Sequence, residues 1–225
     1  MLPYATTWGG INKLDFSQST EFNLGISSTF RGGACNGLSW HWIAKHKNGR
    51  QADFPRELNY PSTMRRIERL QHGNAEIVEN ETAAIMGNLG LLGLGANYKF
   101  YEDSSVVAMA RDGRKKKSLA QLGSDHKSMQ QVGQGPDADT ISRELLAKPG
   151  YKIIAFTLAG EAEGHSMAAF RGPTTLEFFD PNFGSAEFTM LPFGFIQWFK
   201  RYWTLPSGPA PIGKKCAWFR IQHLT

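Results

Sequence analysis

The spacing of apolar positions changes character several times along the chain. Gly, Ser, Thr and Asn recur through the first 30 residues, which read as an irregular lead-in with room for one short strand. Spacing turns helical at Cys35. Cys35, Leu38 and Trp42 stand at offsets of zero, three and seven, and Ile43 widens the same stripe. That pattern predicts a helix over Gly33 to Lys45 that docks one face in the core and ends near Asn48-Gly49.

Regularity weakens between Tyr60 and Lys148. Pro61-Ser62-Thr63 can start a helix through Leu70, residues near Ile77 to Met86 suit another, and Ile141 to Leu146 suits one more. Gly87 to Gly95 alternates flexible and apolar positions without a GxGxxG fingerprint or a Walker lysine, so it reads as a packed turn rather than a phosphate loop. Ser104 to Met109 is strand-like, and Asp112 to Gly135 reads as polar and mobile.

Tyr151 to Leu158 is the clearest strand, with a turn over Gly160 to Gly164. The next apolar runs, His165 to Phe170 and Thr174 to Phe179, flank Arg171-Gly172-Pro173, and the three runs predict successive antiparallel strands. Phe193 to Trp203 reads as a buried aromatic helix and Cys216 to Ile221 as a closing strand. The fold class is therefore α+β, with the cysteine-bearing helix packed against an antiparallel sheet. One domain over residues 1–225 is expected, with a variable central region at about 60–148.

With 225 residues, 41% apolar and 20% charged, the chain can build a sizeable core without metal or disulfide staples. Its two cysteines lack CxxC spacing, no basic segment followed by an apolar run opens the chain, and no apolar stretch approaches 18 residues. A structural zinc site, a cleaved signal and a membrane span are not expected, and the chain reads as soluble. Net charge is +5, from 25 basic and 20 acidic side chains. The sharpest basic run, Arg111-Asp112-Gly113-Arg114-Lys115-Lys116-Lys117, reads first as a solvated loop and second as a surface for an acidic protein or membrane. It has no interleaved aromatics to stack bases, so specific nucleic-acid binding is not expected.

Candidate chemistry centres on three positions. Cys35 follows Gly33-Ala34 at a helix beginning, where unpaired backbone donors and the helix dipole favour a thiolate. His165, after Gly164, can take the thiol proton and later protonate a leaving amine, and Asp180, in Phe179-Asp180-Pro181-Asn182, can hold the imidazole in the useful tautomer. Cys216, inside Lys215-Cys216-Ala217-Trp218-Phe219, has no such helix start and reads as structural. His41 and His46 are five residues apart, about 140° around an ideal helix, which is poor geometry for a shared metal. His72, His126 and His223 lack metal-ligand spacing, and Trp40, Trp42, Trp198 and Trp203 read as packing residues. No metal and no cofactor are expected.

Gly33-Ala34-Cys35-Asn36-Gly37-Leu38 with Trp42-Ile43, then Gly164-His165-Ser166, then Phe178-Phe179-Asp180-Pro181-Asn182-Phe183-Gly184, resembles the YopT-type cysteine peptidases of the papain-like superfamily. The resemblance covers residues from about 30 to 190. It implies a papain-like fold, a Cys-His-Asp triad at Cys35, His165 and Asp180, and a cleft where helix meets sheet. It also implies a bacterial effector delivered into host cells by a specialised secretion system, with a host protein as substrate. One departure stands upstream of the nucleophile. Papain-like peptidases commonly complete an oxyanion hole with an upstream glutamine, but Ser27-Ser28-Thr29-Phe30-Arg31 contains neither Gln nor Asn. Thr29, Ser28 or a backbone N–H are the alternatives for that donor.

The expected function is a thiol endopeptidase cleaving a protein substrate through an acyl-enzyme. A glutamine deamidase acting on a protein side chain could use the same three groups, as could an acyltransferase. A noncatalytic interaction domain on a cysteine-enzyme fold is the alternative from another class.

Overall fold

The computed structural model describes residues 1–19, 34–72, 96–102, 138–158, 164–190, 192–209 and 216–224. Its centre is strand β3 (Gly150–Leu158), whose near-continuous apolar run has a physical cause: both faces of this strand are covered. Ile153 faces a core with Trp42, Phe54 and Phe179, and Ile154 and Phe156 face a second core with Phe178, Phe188 and Trp198.

Besides β3, the described residues form the strands β1 (Gly10–Leu14), β2 (Ala96–Glu102), β4 (Gly164–Arg171), β5 (Thr175–Asp180), β6 (Gly184–Thr189) and β7 (Cys216–Leu224). Among the described residues the sheet has seven antiparallel strands in the order β1-β6-β5-β4-β3-β7-β2. The three successive antiparallel strands expected from the sequence are β3, β4 and β5. The expected closing strand Cys216 to Ile221 is present and longer, but it lies inside the sheet, between β3 and β2.

Helix α1 (Cys35–Lys47) crosses one face, followed by the short α2 (Phe54–Glu57) and by α3 (Pro61–His72). On the opposite face, α4 (Ala138–Ala147) packs beside α5 (Pro192–Trp203). The α+β class and the helix-on-sheet arrangement are as expected. One detail differs. Instead of docking one face, α1 is buried on all sides from Cys35 to Ala44, polar residues included. The reason is α3, which covers the side away from the sheet. The Asn36 side chain donates to the Leu70 carbonyl at 3.1 Å, the Gly37 N–H donates to the Gln71 side chain at 2.9 Å, and Gly37 leaves no room for a Cβ against the Ile67 carbonyl. Asn36 is therefore satisfied by a neighbouring helix, and Ser39 by the sheet, its hydroxyl donating to the Ser166 carbonyl at 3.2 Å.

Trp40, Trp42, Trp198 and Trp203 are buried, and Trp42 stacks on Phe179 with ring centroids 5.4 Å apart. The expected elements at Ile77 to Met86, Gly87 to Gly95, Ser104 to Met109 and Asp112 to Gly135 lie outside the described residues, as do the basic run, His126 and the Cys216 and His72 side chains.

Candidate active site

Cys35 is the first residue of α1 and is buried. No side chain at the N-cap, Ala34, takes a helix donor, and the Gly37 N–H in the first turn goes instead to Gln71 of α3. Across the cleft, the Cys35 thiol lies 3.9 Å from the Gly164 carbonyl at the start of β4. The next residue is His165.

His165 sits opposite Phe156 in the β3–β4 ladder, and its ring meets the Phe156 ring edge-on at 5.8 Å. Its Nε2 is 3.0 Å from Asp180 Oδ1. Asp180 ends β5, is almost fully buried, and accepts a second hydrogen bond on Oδ1 from the Asn182 N–H at 2.7 Å. Turn geometry sets that contact. Pro181, Asn182 and Phe183 link β5 to β6, the Phe183 N–H returns to the Asp180 carbonyl at 3.0 Å, and Gly184, with φ of 90°, leaves no room for a Cβ against the Leu14 carbonyl.

Burial opposes a charge on His165. The Asp180 charge and hydrogen bond, followed by the hydrogen bond and charge of Cys35, outweigh it and push His165 up to about 10. Because Asp180 occupies Nε2, the ring nitrogen left for Cys35 is Nδ1. The three residues singled out in the sequence thus meet at one end of the sheet. A cavity of about 270 Å³ opens beside His165 and Asp180, walled by Phe156, Leu158 and Phe183 and by Ser207 to Pro209.

Two further residues at this end carry no motif in the sequence. Gln18 follows β1, and its amide ties the two sides of the cleft. Its oxygen accepts the Ala34 N–H at 3.3 Å, its nitrogen donates to the Asn182 side chain at 2.6 Å, and its backbone N–H donates to the Pro181 carbonyl at 2.7 Å. Gln18 lies 17 positions before Cys35, well upstream of Ser27 to Arg31, which lie outside the described residues. The second is Tyr202 on α5, whose hydroxyl donates to Asp180 Oδ2. Nothing in an aromatic-rich helix distinguishes this tyrosine from its packing neighbours before the fold is known.

Among the described residues, no group of three or more His, Cys, Asp and Glu could hold a metal ion. None of the described helices is long and apolar enough to cross a membrane.

Residues 95–205 match the peptidase family described as Yersinia/Haemophilus virulence surface antigen, a stretch that includes His165 and Asp180 and begins after Cys35. No curated protein matches the chain. Solved structures are similar, two among them as follows. The Pseudomonas avirulence protein AvrPphB is 16% identical, with 91% of this chain and 99% of that chain covered and a TM-score of 0.48. The YopT domain of the Pasteurella multocida PfhB2 toxin is also 16% identical, with 90% of each chain covered and a TM-score of 0.26. The family match spans the strands that carry His165 and Asp180, and over that stretch the chain is similar to this family of cysteine peptidases.

Proposed function

We propose that the protein is a cysteine endopeptidase that cuts a protein substrate, with Cys35 as nucleophile, His165 as base and acid, and Asp180 as the group that orients His165. The observation that supports this reading is the His165 Nε2 to Asp180 Oδ1 hydrogen bond at a cavity mouth, with the Cys35 thiol directed at the residue before His165.

The chemistry follows from these positions. His165 takes the thiol proton on Nδ1, and the sulfur attacks the scissile carbonyl carbon. Negative charge moves to the carbonyl oxygen, where the Cys35 N–H at the helix start is one donor. Gln18 is the second donor in this proposal, its amide nitrogen turning from Asn182 to the oxyanion. As the tetrahedral adduct collapses, the C–N bond breaks, His165 gives its proton to the departing amine, and a thioester remains on Cys35. Water then attacks the thioester with His165 as base, releasing the acid product and restoring the thiol. Because Asp180 holds Nε2–H throughout, the nitrogen facing sulfur is always the one that exchanges the proton.

The test is a proteome-wide comparison of host extract treated with the parent protein and with Cys35→Ala. New peptide termini that appear only with the parent support the peptidase. Intact products about one dalton heavier at glutamine identify a deamidase instead.

A further inference from the structure

We infer that Tyr202 is a positioning residue of the site, acting on His165 through Asp180 by fixing the plane of the carboxylate. The inference rests on the proposed roles of Cys35, His165 and Asp180.

A carboxylate orients an imidazole only if it cannot rotate about its own axis. Asp180 Oδ1 is held by two donors, His165 Nε2 and the Asn182 N–H, which both lie on one side of the group. These alone leave Oδ2 without a donor. The hydroxyl of Tyr202 takes Oδ2, so that turning the carboxylate breaks three hydrogen bonds. Among the described residues these are the donors that meet Asp180, and they come from β4, from the turn after β5 and from α5.

The hydroxyl is itself fixed. Tyr202 is fully buried, and its ring stacks on Trp198 at 4.9 Å with planes 10° apart. Phe178 and Phe183 meet it edge-on at 5.9 and 6.0 Å, from β5 and from the turn that follows. A phenol wedged between those rings presents its oxygen at one point, and Phe183 belongs to the same turn that supplies the Asn182 N–H. Burial first, then the charge of Asp180 and its hydrogen bond, hold the Tyr202 proton in place well above ordinary phenol values, so the hydroxyl stays a donor. The aromatic core on the α5 face is thereby connected to the nucleophile by a chain of four side chains: Tyr202, Asp180, His165 and Cys35.

A residue that merely fills the core would destabilise the fold when altered and leave the histidine alone. Tyr202→Phe keeps the ring and deletes the hydroxyl, which separates the two roles. Two readouts apply to the full chain: the alkylation rate of Cys35 by iodoacetamide at neutral pH, located by peptide mapping, and the low-field proton signal of the His165 ring. Tyr202→Phe should slow alkylation by about fivefold or more and speed exchange of the ring proton with water. In an Asp180→Asn background the same change should do little, within about twofold, because the residue through which it acts is already altered. A full additive loss in that background, or parent-like alkylation and ring-proton exchange in Tyr202→Phe, would overturn the inference.

His165→Ala is the control that separates the two claims. If it alkylates as fast as the parent, the proposed catalytic reading fails and the positioning role goes with it. If it is slow while Tyr202→Phe is unaffected, only the positioning role fails. Should Tyr202→Phe fold poorly, 3-fluorotyrosine at position 202 retains the ring and hydroxyl and changes donor strength. A ring-proton signal that does not move would then be the refuting result.

Discussion

Two histidine–carboxylate pairs are built on strand β5, three residues apart and facing opposite sides of the sheet. Asp180 meets His165 Nε2 at 3.0 Å, and Glu177 meets His46 Nε2 at 3.3 Å. By residue type and distance they are nearly the same object. What differs is the third partner and the surroundings. The His46 Nδ1 faces the Tyr151 hydroxyl at 3.0 Å, Ser185 donates to Glu177 at 2.8 Å, and the rings of Trp42 and Phe170 lie at 4.9 and 4.5 Å from the imidazole. Every polar atom of that cluster finds a partner that cannot react. His165 instead has a thiol as neighbour and an open cavity at its side. A histidine paired with a carboxylate is thus a way to bury charge in either case, and it becomes a candidate proton shuttle only where a nucleophile and a vacant volume adjoin it.

The comparison can be broken most directly by removing each histidine. His165→Ala should reduce turnover by about 10³-fold or more, since proton transfer is its proposed task, and should also lower the thermal midpoint, because the buried Asp180 loses its partner. His46→Leu should leave kcat within about twofold and cost on the order of 1–3 kcal/mol, because Glu177 loses a buried partner. If the two variants exchange these outcomes, the site has been assigned to the wrong pair. Asp180→Asn should fall between, with a loss of about 10²-fold, since an amide can still hold a ring by hydrogen bonding.

A subtler effect is the dependence of stability on pH. His165 is raised from 6.5 to about 10, so its contribution is complete below the unfolded value of 6.5 and is lost as pH rises through about 10. His41, in the α1 core, behaves oppositely. Burial first, then the charges of Arg66 and Lys45, lower it to about 4 against the opposing pull of Glu57. Its contribution is present above 6.5 and is lost as pH falls towards 4. From these two groups, denaturant midpoints should peak near pH 6.5. Asp180→Asn should flatten the alkaline side and His41→Phe the acid side; a profile unchanged in both variants would contradict the assignment of the two slopes.

The smallest effect is expected from a change in the basic run. Replacing Arg114, Lys115, Lys116 and Lys117 with Gln should weaken association with an acidic surface and its salt sensitivity, leaving turnover of a small uncharged substrate within about twofold. Binding measured against ionic strength checks it.

Residues with a strong local signature could be read from the sequence. The run Tyr151 to Leu158 is apolar because both of its faces are covered, and α5 is aromatic because it fills the core on its side. Cys35, His165 and Asp180 were legible as candidates because each sits in a small motif at an element boundary. Strand β6 was not, because Ser185 and Glu187 alternate with Ala186 and Phe188 too weakly to mark a strand. The buried Ser185 is explained by Glu177 on the neighbouring strand, a contact no local window contains. Gln18 and Tyr202 escaped for the same reason. Their partners lie 164 and 22 positions away, and each is an ordinary residue until the fold brings that partner to it.

Strand β7 lies between β3 and β2, although it is made last among these strands. During synthesis Cys35 leaves the ribosome well before His165 and Asp180, and β3 must then wait, one edge unpaired, for residues 216–224. Phe219 and Ile221 are also missing until then from the core that supports α5. The thiol is therefore translated early and the framework that would arm it is completed late. An unfinished chain carries Cys35, His165 and Asp180 on a sheet whose β3 edge is still open, and the described sheet is complete only when residues 216–224 pair with it.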